Sequence, residues 1–275
     1  MSKLLSATLI ATITLSANEL PTQKDIIKFV KRSIIRNPRI KVNEVKIVES
    51  RVDKRIPDWT VFFATMRLNF QGKDINAPLV LFANDHLITT ELYDYKTKTE
   101  YSKIIKPTLP KDIYNDKHLL MGHKDAKHKI VVFSDPQCPF CQDVMPDIFK
   151  AVKEHPDTFA LYYYHLPLKR LHPVSDTLTK VMHVAQNQGK IDMVTKMYDL
   201  KINIRETDED KILKKIEKQF GYKLTKEQIN KKEVKDALKA DEDMAARMMI
   251  NGTPTVYLDG KWDKLRDGYE KYIKK

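Results

Sequence analysis

The apolar positions of this chain change period several times, and each change marks an element. Thr22 with Asp25 is set to cap a helix, and Ile26, Ile27, Val30 and Ile34 then recur at helical spacing until Asn37-Pro38. A period of two follows. Val45, Ile47 and Val48 lie in one run; Phe62, Ala64, Met66, Leu68 and Phe70 alternate with Thr65, Arg67 and Asn69 in the next, the pattern of a half-buried strand. Gln71-Gly72 turns the chain, and residues 79–82 and 87–92 predict two more strands around Asn84-Asp85. Residues 18–95 thus read as an α+β unit, one helix followed by an antiparallel sheet. A sheet this small has one apolar face and open edges, and gains from pairing with a second copy. Residues 96–117, dominated by Lys, Thr and Tyr and broken by Pro107 and Pro110, predict a partly helical linker.

A second unit, residues 118–275, has a different order. Residues 129–133 form a short apolar run typical of a buried strand. Ser134-Asp135-Pro136-Gln137 leads from it to Cys138, and Pro139 occupies the next position, where proline favours the start of a helix. Val144, Ile148, Phe149 and Val152 continue that helix, with Pro146 expected to kink it. Residues 159–165 predict a strand, and residues 174–250 several helices, with starts at Thr207/Asp210 and Thr225/Gln228. Ile212, Ile216 and Phe220 make one apolar stripe, and Val234, Ala237, Leu238 and Ala245 another. A strand after Thr253-Pro254, a turn at Asp259-Gly260 and a last helix over 263–272 complete an α/β unit.

Composition narrows the function classes. Hydrophobic residues are 42% of the 275, enough for packed cores and too many for a disordered chain. The net charge of +12 is spread among acidic residues, without an Arg-rich tract, which argues for a basic soluble surface and against nucleic acid. At the N-terminus, Lys3, the apolar residues 4–15 and Ser16-Ala17 predict a signal peptide over residues 1–17. That stretch falls short of the roughly 20 residues of a spanning helix; an uncleaved anchor is the alternative. The expected compartment is the periplasm, where disulfides persist.

There are two cysteines, both in Cys138-Pro139-Phe140-Cys141. A nucleophilic sulfur must be ionised, and a helix N-terminus, with its unsatisfied N–H groups, lowers a thiol pKa from about 8.5 to roughly 3.5–7.5. Two intervening residues bring the second sulfur within bonding reach. Two bland alternatives compete. A structural crosslink is a poor staple at this spacing, since so small a loop contributes about 2 kcal/mol against about 4.7 for a 100-residue one. Half of a zinc site would need partners, but no second Cys-x-x-Cys exists and His123, His128, His165 and His172 lack ligand spacing. No metal and no cofactor is therefore expected.

Residues 131–141, followed by Thr253-Pro254 before a strand, resemble the thioredoxin fold, and the helical block resembles the insertion of the Dsb proteins. The layout of signal peptide, small domain, linker and catalytic domain is most similar to the DsbC/DsbG class of periplasmic disulfide isomerases. The resemblance implies that Cys138 is an exposed nucleophile and Cys141 a buried resolving thiol. It implies a cis peptide bond at Pro254, with the Thr253 backbone pairing to an extended substrate strand. It implies a homodimer built through residues 18–95, misfolded or cysteine-containing exported proteins as substrates, and a membrane thiol redox partner. For an isomerase or reductase that partner is a DsbD-like donor; for the alternative, a dithiol oxidase, a DsbB-like oxidant. A redox-silent chaperone is a third reading. Val132 stands where thioredoxin and DsbA-like proteins carry a buried acid, and DsbC-like proteins are also apolar there, with an acid where this chain has Asp135. Pro139 is shared by DsbA and DsbG, so the motif itself does not choose.

Pro139 and Phe140 are the redox-tuning positions. A His at 140 would stabilise the Cys138 thiolate, and Phe offers neither charge nor donor, so this protein is expected to be less oxidising than a Cys-Pro-His-Cys relative. Tyr162, Tyr163 and Tyr164 are either sheet packing or peptide contacts; Met244, Met248 and Met249 are either core or a pliable substrate surface. Trp59 and Trp262 read as structural anchors, and His165 and His172 as candidates for tuning the site.

Overall fold

A computed structural model describes residues 21–273; the expected signal peptide over residues 1–17 lies outside the described residues. Helix α1 (Gln23–Phe29) starts where expected. The Thr22 hydroxyl accepts the Asp25 N–H, the Asp25 carboxylate takes the Thr22 N–H in return, and the helix runs on through one wider turn, Val30–Ile34. Strands β1 (Ile40–Asp53), β2 (Ile56–Phe70), β3 (Lys73–Ala83) and the two-residue β4 (Ile88–Thr89) form an antiparallel sheet in that order. Gln71 and Gly72, both at positive φ, make the β2–β3 turn.

Phe62, Ala64, Met66 and Leu68 pack against Ile26 of α1 and Val30 of the wider turn after it, as their alternation predicts. The first half of β2 is buried on its other face too. Val61, Phe63 and Phe82 meet Ile105 and Met249 there. The half-buried pattern therefore holds only along the second half of the strand. Within residues 96–117 lie the short α2 (Tyr101–Ile104) and a 3₁₀ turn, Lys111–Ile113. Ile105 and Ile113 are fully buried, and Glu49 of β1 accepts both the N–H and the hydroxyl of Thr108 at 2.8 and 3.0 Å.

The second sheet has the order β5-β7-β6-β8-β9, from β5 (Leu119–Gly122), β6 (His128–Ser134), β7 (Phe159–His165), β8 (Thr255–Leu258) and β9 (Lys261–Asp263). Only β6 and β7 run parallel, joined by α3 (Pro139–Glu154), which carries Pro146 inside it. Between β7 and β8 come α4 (Val174–Asn187), α5 (Ile191–Lys196), α6 (Glu209–Phe220), α7 (Lys226–Ile229) and α8 (Lys232–Arg247). The central β6 is buried on both faces. Ile130 and Val132 join the core under α3 and α4, and Val131 and Phe133 the core under α8. Tyr163 falls in the first core and Tyr162 and Tyr164 in the second, so all three tyrosines pack the sheet. Met248 and Met249 are buried and Met244 packs beside them, which makes these methionines core. Trp59 and Trp262 are half-buried, the latter beneath the Lys106 ammonium at 5.3 Å.

Besides the strand expected over 87–92, of which only Ile88–Thr89 forms, two elements differ from expectation. The α6 cap is Asp208, whose carboxylate accepts the N–H groups of Asp210 and Lys211, and not Thr207. Residues 263–272 contain no α-helix. After β9, Asp263 accepts the N–H groups of Arg266 and Gly268 at 2.9 and 2.8 Å, which winds the backbone into a turn with Arg266 at positive φ, and only a 3₁₀ turn, Glu270–Tyr272, follows.

Candidate active site

The site begins at the C-terminal end of β6. Asp135, fully buried, has both carboxylate oxygens filled: Oδ1 accepts Gln137 N–H at 2.7 Å and the Ser175 hydroxyl at 2.6 Å, and Oδ2 accepts Leu168 N–H at 2.7 Å and lies 3.1 Å from His172 Nδ1. Those bonds hold the turn that sets Cys138 as the N-cap of α3, with Pro139 in the first helical position. Gln142 then ties the helix to the insertion through the carbonyls of Pro136 and Tyr198, at 3.1 and 3.0 Å.

The free thiols of Cys138 and Cys141 share this helix start. Cys138 Sγ lies 3.5 Å from the Thr253 carbonyl oxygen, and the Thr253–Pro254 bond is cis, as the resemblance implies. So the structure brings Cys138, Pro139, Phe140, Cys141, Thr253 and Pro254 to one end of the sheet. Cys138 is not the exposed sulfur that the resemblance implies: the residue is 4% accessible, covered by the Thr253–Pro254 loop, while neighbouring Phe140 is 68% accessible. Arg266 donates from Nε to the Pro254 carbonyl at 3.0 Å and so braces that loop.

The two sulfurs differ sharply in acidity. A hydrogen bond from Cys141 draws Cys138 down from 9.0 to about 5, against the opposing effect of burial, with Thr253 and the N–H groups of Phe140 and Cys141 adding to the fall. Burial pushes Cys141 far up, and its bond to Cys138 pushes the same way. Electrostatically, then, one sulfur is prepared to be an anion and the other to stay protonated until that anion is consumed.

Beneath Cys141 lies a group of hydroxyls that sequence reasoning missed. The Tyr198 hydroxyl donates to Ser134 Oγ at 2.7 Å, the Tyr163 and Tyr198 oxygens are 2.6 Å apart, and Ser134 opposes the rise that burial gives the Cys141 thiol. The alternation of β7 put Tyr163 on this face, but Tyr198 comes from the insertion, 64 positions from Ser134. Val132 is fully buried beside them. His172 joins the site through Asp135. His165 does not reach the sulfurs; it is buried against Tyr163, and neither of its ring nitrogens has a hydrogen-bond partner. His123 and His128 pair separately with Asp157 and Asp259, and among the described residues no group of three or more metal-ligating side chains assembles.

The family model described as thioredoxin matches residues 114–275, more than half of the chain. The chain belongs to the thioredoxin family. The chain is similar to a probable disulfide bond formation protein D of Bacillus anthracis, 27% identical over 172 residues, covering 56% of this chain and 78% of that protein. It is also similar to a Na(+)/H(+) antiporter NhaA 1 of Mycolicibacterium vanbaalenii, 24% identical over 162 residues and 58% of this chain. This chain spans 25% of the antiporter's length. Among solved structures, a thioredoxin-like oxidoreductase from Silicibacter pomeroyi is 21% identical, with a TM-score of 0.48, covering 61% of this chain and 99% of that one.

Proposed function

We propose that this protein is an exported thiol:disulfide oxidoreductase in which Cys138 is the nucleophile and Cys141 the resolving thiol. The observation that carries the reading is the placement of two free thiols at the start of α3, with Cys138 Sγ against the Thr253 carbonyl before the cis Pro254; the opposite directions in which their acidities are pushed support it. The Cys138 thiolate attacks one sulfur of a substrate disulfide; a Cys138–substrate disulfide forms and the other substrate sulfur leaves as a thiolate. Cys141 then gives up its proton and attacks Cys138 Sγ. The Cys138–Cys141 bond forms, the bond to substrate breaks, and the substrate is released with two thiols. Run backwards, the same steps donate a disulfide. The backbone of Thr253, next to Pro254, offers pairing groups to an extended substrate, and Phe140 an apolar contact beside the sulfur.

The working direction we assign is that of a DsbC/DsbG-like isomerase or reductase, active on misfolded exported proteins in the periplasm. Residues 18–95 are assigned as the dimerisation domain, 96–117 as the linker and 118–275 as the catalytic domain with its insertion at 174–250. Supporting a homodimer, β1 is an edge strand of fourteen residues, paired on one side only. A second direction, dithiol oxidation, is favoured by two observations: an acidic Cys138 stabilises the reduced form and makes a stronger oxidant, and the Bacillus anthracis relative is named for disulfide bond formation.

Two measurements test these assignments. Cys138→Ser is expected to abolish reduction of insulin and recovery of a scrambled multi-disulfide protein, and Cys141→Ser to trap a mixed disulfide; retained turnover by Cys138→Ser refutes the assignment. Alkylation trapping of Cys138 in cells then decides direction, a reduced resting state meaning isomerase and an oxidised one oxidase.

A further inference from the structure

The segment that roofs Cys138 also walls a cavity. On either side of Thr253–Pro254, Asn251 and Thr255 line a space of about 240 Å³, whose other walls are Ile250, Lys103, Lys106 and Trp262. Two residues of backbone span at most roughly 7 Å, so the Cα atoms of Asn251 and Thr255 both lie within that distance of the Thr253 Cα. An extended chain paired to the Thr253 backbone therefore passes close to the cavity. Lys103 and Lys106 come from the linker, outside the residues 114–275 that match the thioredoxin family.

The cavity holds a cation without a counter-ion. Lys106 is half-buried; its ammonium stands 5.3 Å from the centre of the Trp262 ring and donates to the Met249 carbonyl at 3.4 Å. Among the described residues no carboxylate pairs with it, and burial pushes its pKa below 10.5 with no neighbouring charge to oppose the fall. Lys180, also half-buried, shows the ordinary arrangement: Asp176 lies at 3.1 Å and Glu209 at 3.0 Å. Taking an ammonium out of water is costly unless it is paired, and a carbonyl and an aromatic face offset only part of the cost. Of its three N–H donors one is committed to Met249, which leaves others for a guest. Exposed Asn251 brings a side-chain amide to the same space, while Lys103 is already held by Glu100 at 2.6 Å. The guest that fits is an anion. A substrate of the exchange reading is a polypeptide, whose anionic side chains are carboxylates.

We propose that this cavity is a specificity pocket for the substrate chain, in which Lys106, with Asn251 beside it, takes the carboxylate of an Asp or Glu lying a few residues from the cysteine that Cys138 attacks. Lys106 selects substrate and takes no part in the sulfur chemistry. The linker thus supplies part of the substrate site, and exported proteins with an acidic residue close to a cysteine exchange faster. This rests on the exchange reading above and adds a substrate preference to it.

The test compares matched substrates. Reduced full-length protein is mixed at low salt, where screening is weak, with symmetric peptide disulfides that carry Glu a few residues from the cysteine on either side, and with the same peptides carrying Gln. Second-order rates of disulfide reduction are read by mass after acid quench. Each is divided by the rate for dithiothreitol with the same peptide, which removes the effect of the acid on the peptide's own sulfur. The best Glu peptide is expected to react about fivefold faster than its Gln partner. Lys106→Met is expected to erase that ratio; Lys106→Gln serves where Lys106→Met fails to fold, as checked by circular dichroism. Lys218→Met, which removes the same charge from exposed α6, is expected to keep it. Equal rates for every Glu and Gln pair in the wild-type protein, a ratio that persists in the folded Lys106 variant, or one lost equally in Lys218→Met overturns the inference alone. Absence of reduction of any peptide by the wild-type protein overturns the exchange reading and the inference with it.

Discussion

The depressed pKa of Cys138 has a consequence that pH alone can expose. Below about pH 5 the reduced protein holds a proton on each sulfur; above it, only on Cys141. The oxidised protein holds neither. Reduction therefore takes up two protons on the acid side of that point and one beyond it. With about 30 mV per tenfold change for a two-electron couple, the potential is expected to fall by about 59 mV per pH unit below the break and about 30 mV above it. Because burial pushes Cys141 far up, no second break is expected at ordinary pH. At pH 7 a thiol at about 5 is roughly a hundredfold more ionised than one at 9.0, which makes the couple about 60 mV more oxidising than an unperturbed pair. The same ionisation stabilises the reduced fold. Since the folded value lies below the unfolded one, that contribution is complete above pH 9 and is lost as the pH falls through about 5. Equilibration with glutathione buffers of known ratio from pH 4 to 8, followed by acid quench and mass analysis of alkylated thiols, measures the slope. A single unbroken line of about 59 mV per unit across that range refutes the acidity assigned to Cys138.

Phe140→His, at an exposed position one residue from the sulfur, is expected to raise the potential by about 30 mV or more at pH 6; an unchanged or lower value discards the role given to Phe140. Gly122→Ala is expected to cost about 3 kcal/mol or more in urea unfolding, because φ is +79° and an added Cβ would meet the Phe159 carbonyl oxygen at 1.9 Å; a wild-type midpoint counts against the β5–β7 register. His165→Phe removes two unpartnered buried nitrogens and is expected to gain about 1 kcal/mol at neutral pH. Burial holds the His165 ring well below 6.5, so the unfolded chain takes its proton first and stability drains as the pH falls below 6.5. The variant is therefore expected to show a flatter acid limb in thermal melts; an equally steep one excludes His165 as its source.

What the residue pattern revealed, and what it hid, follows from the range of the forces involved. Local signals were readable. The Thr22/Asp25 and Thr225/Gln228 boxes, the proline after Cys138 and the apolar run of β6 each act within one turn or one strand, and all appear where expected. The cysteine pair and Thr253-Pro254, 115 positions apart at the closest sulfur contact, came together through resemblance and not through spacing. Long-range effects were out of reach. Nothing near Val61 and Phe63 announces that Ile105 and Met249 will cover them. Nothing beside Thr207 says that Asp208 will cap instead, since either side chain suits the task. The predicted terminal helix failed because a side-chain bond, from Asp263 to two later N–H groups, outcompeted the helical ladder. The Ser134, Tyr163 and Tyr198 hydroxyls were hidden for the simplest reason: Ser, Tyr and Tyr are ordinary residues until tertiary structure gathers them into one buried cluster.

Met248 and Met249 are adjacent in the chain yet fill different cores: the first lies with Tyr257 under the catalytic sheet, the second with Phe63 and Phe82 under the N-terminal one. The two cores are thereby joined by a single peptide bond. Four residues beyond Met249 the chain reaches Thr253, whose carbonyl faces the Cys138 sulfur, so one short span is anchored in the N-terminal core at one end and roofs the redox centre at the other.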